Sequence, residues 1–145
     1  MNVNERIADL VRAYGDGSDG ASPDAGQWRT VLGGPQDRPV VLVNFFKFWE
    51  RALYPGGEDV SGQDAFARYA SVSMPALERA GGHFLHVGGY GGSFVGDDAS
   101  WDMIAIGHYP DTAALLALFD DPEYRKAFPH RHAACERQRV IFSRG

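Results

Sequence analysis

The chain has 145 residues, 44% of them apolar, and carries 14 Lys and Arg against 19 Asp and Glu for a net charge of −5. That length suits one domain with a sizeable core, and the acidic balance argues against nucleic-acid partners, whose binding domains are usually strongly basic. No apolar run approaches the ~20 residues of a membrane helix, and the N-terminus, MNVNERIADL, has no basic-then-apolar signal pattern. The lone cysteine, Cys135, excludes an internal disulfide, so a cytoplasmic protein is expected.

Residues 3–14 predict a short amphipathic helix, with Ile7, Leu10, Val11 and Tyr14 on one side and Gly15 closing it. The following GDGSDGASPDAG has too little apolar surface to bury and reads as a loop. Residues 27–32 suggest one more helical turn anchored by Trp28. Residues 1–34 therefore read as an extension, and 35–145 as the domain.

That domain opens with PVVLVNFFKF at 39–48, an apolar run of the kind buried on both faces as a strand. After a loop over 49–62, Ser61 and Asp64 form a capping pattern. Phe66, Tyr69, Ala70, Ser73, Leu77 and Ala80 then repeat at helical spacing over 63–80, interrupted by Pro75 and ended by Gly81-Gly82. HFLHVGGY at 83–90 predicts the next strand, and its glycine cluster at 88–92 suggests a bulge. GDDAS at 96–100 is the expected turn, and 101–109 the return strand. Asp111 caps a helix over 112–119, and Asp121-Pro122 starts another that reaches Cys135. Residues 139–143 supply the last strand.

The order β-α-β-β-α-β predicts an α+β, ferredoxin-like sandwich: an antiparallel four-stranded sheet with helices on one face. Val40, Leu42, Phe46 and Phe48 oppose Val41, Val43 and Phe45, so both faces of the first strand are apolar. An exposed greasy sheet face is a hazard. The expected remedy is a homodimer packed sheet to sheet, with cover by residues 1–34 as the alternative.

Several polar residues stand out. Asn44 interrupts a buried strand, and its amide needs partners or costs about 1–3 kcal/mol. Orienting a ligand carbonyl and bridging to a loop both explain it. Lys47 points to the other face. His83 and His86 lie an odd offset apart, which separates them across a regular strand, and His130 and His132 diverge on a helix. No metal site and no bound cofactor are therefore expected. His108 at a strand end, and His130 beside Arg131, suit proton transfer near neutral pH. GGYGGSFVG lacks any phosphate-loop pattern, and Cys135 reads as a small core residue.

The segments PVVLVNFFKF, SGQDAFARYASVSMPALERAGGHFLHVG, Trp101 and HYPDTAALLALFDDPEYRKAFPHR together resemble the "domain of unknown function 1330" family of the dimeric α/β-barrel superfamily. The D-P-E-Y step that starts the last helix is its most specific part. The resemblance spans about residues 38–143. It implies a ferredoxin-like fold that dimerises through its sheets, and it implies no settled activity. The superfamily includes metal-free monooxygenases, heme-degrading monooxygenases and lactone isomerases, with sites in a cleft between sheet and helices. Asn44, Trp101 and His130 fall, element by element, where the heme-degrading members carry Asn, Trp and His.

These considerations predict a small-molecule-binding protein, and the first reading is a cofactor-independent oxygenase or isomerase acting on a small apolar, oxygen-bearing substrate. In it His108 and His130 are the catalytic residues. Asn44, Phe46 and Tyr69, with His86, Trp101, Tyr124 and Arg131, bind the ligand. The alternatives are a non-catalytic ligand-binding module that uses the same cleft and a structural dimer without a cavity.

Overall fold

The computed structural model describes residues 1–145. Helices α1 (Val3–Tyr14) and α2 (Ala25–Gly33) precede β1 (Val40–Phe48) and α3 (Gly62–Arg79). β2 (His83–Gly89), β3 (Met103–Tyr109), α4 (Thr112–Asp120), α5 (Pro122–Ala134) and β4 (Cys135–Arg144) complete the chain. The strands form one antiparallel sheet in the order β2-β3-β1-β4, and buried residues of all five helices share one core with Val40, Phe46, Ala105 and Tyr109 of the sheet. This is the ferredoxin-like α+β fold.

The caps explain the helix starts. Ser61 Oγ accepts from the Asp64 amide at 2.9 Å, and Asp111 Oδ1 from the Ala114 amide at 2.8 Å. The Asp121 carboxylate accepts from the Glu123 and Tyr124 amides, with Pro122 at the first helical position. The α2 helix is longer than the single turn expected, because Asp24 and Gln27 cap each other reciprocally. Gly62 starts α3 hard against the backbone; a Cβ there would sit 2.1 Å from the Trp49 carbonyl oxygen.

Three expectations need correction. The bulge in β2 lies between Phe84 and His86, not in the glycine cluster at 88–92. It inserts Leu85 and inverts the alternation, so His83 and His86 share a face instead of opposing each other. The β4 strand begins at Cys135 rather than 139, because α5 runs into it without a loop. β3 begins at Met103; Trp101 belongs to the preceding connection, which a 2.6 Å hydrogen bond from Tyr90 Oη to Asp98 Oδ1 helps to shape.

Residues 1–34 pack on the helical layer. The Tyr14 hydroxyl donates to the Phe119 carbonyl at 2.5 Å, and its ring meets Phe119 and Phe128 edge-on. Trp28, 2% exposed, packs edge-on against Phe119 at 5.0 Å. Arg6 pairs with Asp120 at 2.5 Å, and Arg144 ties the end of β4 to the Val31 carbonyl at 2.9 Å. Ile7, Leu10, Tyr14 and Trp28 thus share one core with Phe46, Phe66, Leu115 and Tyr124. The extension leaves the outer sheet face untouched. Val41, Val43, Phe45, Ile104 and Ile106 remain half-buried there.

Candidate functional site

The helix-facing side of β1 presents Leu42, Asn44 and Phe46, and β3 presents Ala105, Gly107 and Tyr109 beside them. Above this floor α3 contributes Phe66, Tyr69, Ala70 and Ser73, and α5 contributes Tyr124, Phe128 and Arg131. Between the layers lies a mostly apolar cavity of about 650 Å³. That falls within the range of small-molecule sites. Trp28 and the loop over residues 20–24 form part of its wall, so the extension helps to build it. Gly107 keeps the floor open; a Cβ there would already touch Tyr109 and Leu77.

One polar cluster interrupts the apolar lining. Asn44 Nδ2 donates to the Ala105 carbonyl at 3.0 Å, which holds the amide upright on the sheet. Its Oδ1 accepts from Arg131 Nη2 at 3.4 Å. Arg131 Nη1 donates to the Tyr69 hydroxyl at 3.1 Å, and Nε to Gln138 Oε1 at 2.8 Å. The Tyr69 and Tyr124 hydroxyls are 2.7 Å apart. The guanidinium also lies 4.8 Å from the Phe46 ring centre, within cation–π range.

Burial pushes the Tyr124 and Tyr109 phenols well above the ordinary tyrosine range, and both stay neutral. Burial also opposes the charge on Arg131. The oxygens of Tyr69 and Tyr124 outweigh it, and the pKa lies above the usual arginine value. The cluster is therefore built around a permanent cation.

Of the residues nominated from the sequence, Asn44, Phe46, Tyr69, Tyr124 and Arg131 meet in this cavity. The others do not. His108 and His86 lie on the outer sheet face, because His108 pairs with His83 and Val41, and His86 with Ile106. The His108 ring sits 4.9 Å from that of His83, and its Nδ1 is buried without a partner. Trp101 is on the outer side as well, packed 5.7 Å from Phe45 and beneath the Arg137 guanidinium at 4.3 Å. His130 turns away from the cavity, and its Nδ1 shares a 2.6 Å hydrogen bond with the Tyr54 hydroxyl of the 49–62 loop. Asn44, Trp101 and His130 therefore occupy three separate places and form no joint site.

No group of three or more His, Cys, Asp or Glu side chains converges as a metal centre. Cys135 is half-buried beside Arg131, and burial pushes its thiol up to about 11; that suits packing rather than nucleophilic chemistry. Sequence reasoning missed Gln138, Tyr109 and Gly107, and the part of the wall made by Trp28. The i, i+2 alternation of β3 puts Gly107 and Tyr109 on one face with Ala105, whereas nothing in the pattern around Gln138 marks it.

A family model described as a domain of unknown function (DUF1330) matches residues 56–144. The crystal structure of methylated RPA0582 protein superposes with a TM-score of 0.80 at 32% identity, covering 86% of this chain and 93% of that one. A second crystal structure, of the RPA0582 protein of unknown function from Rhodopseudomonas palustris, superposes with a TM-score of 0.79 at 31% identity over 86% and 95% of the two chains. No curated protein matches the chain.

Proposed function

The chain belongs to the DUF1330 family, whose function is unknown, and we propose on the geometry of its own cavity that it binds a small molecule between sheet and helices. The ligand is an apolar body with one polar end, received by Asn44, Tyr69 and Arg131. The observation that carries this reading is the single polar cluster in an otherwise apolar cavity of about 650 Å³. Protein side chains filling such a space would leave no room for a ligand, whereas here Gly107, Ala70 and Ser73 face it.

Binding is favoured over turnover because the histidines stand elsewhere. A general base must reach its proton within about 3 Å or through one water; no histidine lines this cavity, and its one carboxylate, Asp24, is exposed at the margin and engaged as a helix cap. An oxygenase or isomerase reading that relies on His108 or His130 has no support from their positions.

The cavity is tested by filling it. The neutral fluorophore N-phenyl-1-naphthylamine should bind the wild-type protein and raise its melting temperature. Ala70→Phe, placed on the cavity wall, should stay folded and lose that binding. Unchanged binding by a folded Ala70→Phe protein would reject the reading.

We also propose that the bare outer face of the sheet pairs with a second copy of the chain. Four strands about 4.8 Å apart and about 23 Å long project roughly 440 Å². That is about half of the ~800 Å² per partner of a standard interface, so the loops around the sheet would have to supply the rest. The half-buried Val41, Val43, Phe45, Ile104 and Ile106 supply its apolar centre.

A further inference from the structure

Resting on the reading that the cavity holds a small molecule, we infer that its ligand is a small apolar carboxylate whose anionic end is taken by Arg131. The reasons lie in what surrounds this guanidinium. Arg6, Arg68, Arg79 and Arg125 each pair with a carboxylate of the chain. Arg131 has only neutral partners: Asn44, Tyr69 and Gln138 by hydrogen bond, and Phe46, Tyr69 and Phe128 through their rings. A half-buried cation without a counter-charge is costly, and an anion entering the cavity would offset that cost.

The donor count points the same way. A guanidinium has five N–H groups. Nε uses one on Gln138, Nη1 one on Tyr69 and Nη2 one on Asn44, the last at a long 3.4 Å. One N–H on each terminal nitrogen is left without a protein acceptor. Two donors on one planar fork match the two oxygens of a carboxylate.

Nothing negative inside the cavity competes. The other charged residues along it are Asp24 and Arg139, both exposed at its margin. The Asp24 carboxylate is engaged with the Gln27 amide as a helix cap. Tyr109, Tyr124 and Cys135 are neutral, as described above. A single half-buried cation matches a monoanion; a phosphate monoester would bring a second charge that no group here meets. The mostly apolar lining favours an apolar body for the rest of the ligand.

The test compares two isosteres, 2-naphthoate and 2-naphthamide, in displacement of N-phenyl-1-naphthylamine at pH 7.5. Wild-type protein should bind the carboxylate at least about tenfold more tightly, the order of preference expected of a charge-assisted bidentate pair. Arg131→Gln should bring the two affinities to within about twofold. Gln138→Glu places a carboxylate on the guanidinium from within, where Oε1 already accepts from Nε at 2.8 Å, so it should keep the fold, retain the neutral fluorophore and abolish the preference, whether or not Arg131→Gln is stable. Failure of the fluorophore to bind the wild type would remove the cavity reading itself. Fluorophore binding with equal affinities for acid and amide, or a tenfold preference surviving in Gln138→Glu, would overturn the carboxylate inference alone.

Discussion

Asp121 does several jobs with one carboxylate. It caps α5 through the Glu123 and Tyr124 amides and pairs with Arg79 at 2.8 Å. Burial works to raise its pKa, but the Arg79 bond and the two amides outweigh that and hold it below the usual aspartate value. A depressed carboxyl stabilises the fold above its unfolded pKa and loses that contribution as pH falls through the folded one. Asp121→Asn should therefore flatten the stability loss seen in chemical denaturation below about pH 4, and Asp121→Ala should cost about 1 kcal/mol at pH 7. Tyr124→Phe removes one hydroxyl from the pair with Tyr69 and should cost about 1 kcal/mol by the same measurement. Residue identity was legible in the sequence where local rules act: Ser61, Asp111 and Asp121 cap as their spacing predicts, and Asn44 finds partners as a buried amide must. The direction of His108 was not legible. Ile104 and Ile106 share its face and are as apolar as the residues opposite, so the pattern alone did not say which side met the helices.

Elements meet at closer range than their sequences suggest. Gly62 is wedged beneath Trp49, and its amide donates to the Trp49 carbonyl at 3.1 Å. Gly62→Ala would drive a methyl group into that carbonyl and into the Ala134 carbonyl, 2.8 Å from the added carbon. A loss of about 1–3 kcal/mol or more is expected, read as a fall in denaturation midpoint at unchanged slope. The periods of β1 and α3 were plain in the sequence because each buries a strong apolar face. The bulge at Leu85 was hidden, since one inserted residue changes register without changing composition. The early start of β4 was hidden for a related reason: Cys135, Glu136, Arg137 and Gln138 carry no strand-like alternation, and pairing with β1 imposes extended backbone on them.

At the scale of the whole molecule, the extension and the outer sheet face set the behaviour. Trp28 belongs both to the common core and to the cavity wall. Trp28→Ala should cost about 3–5 kcal/mol in thermal or chemical unfolding and weaken fluorophore binding as well. On the other side of the sheet, Ile106→Arg should shift sedimentation from a pair toward single copies, leaving the far-ultraviolet circular dichroism unchanged. A wild-type chain that sediments as one copy at micromolar concentration would remove the pairing proposal. The direct passage from α5 into β4 has its own mechanical result. Arg131 and Gln138 are gripped together at 2.8 Å, yet they ride on opposite sides of a junction with no slack. Because β4 is a border strand of the sheet, tension on that guanidinium is transmitted straight to a ribbon held along one margin only. Occupancy of the interior should accordingly slow deuterium uptake along residues 136–142, making the rim of the sheet a gauge of what lies within.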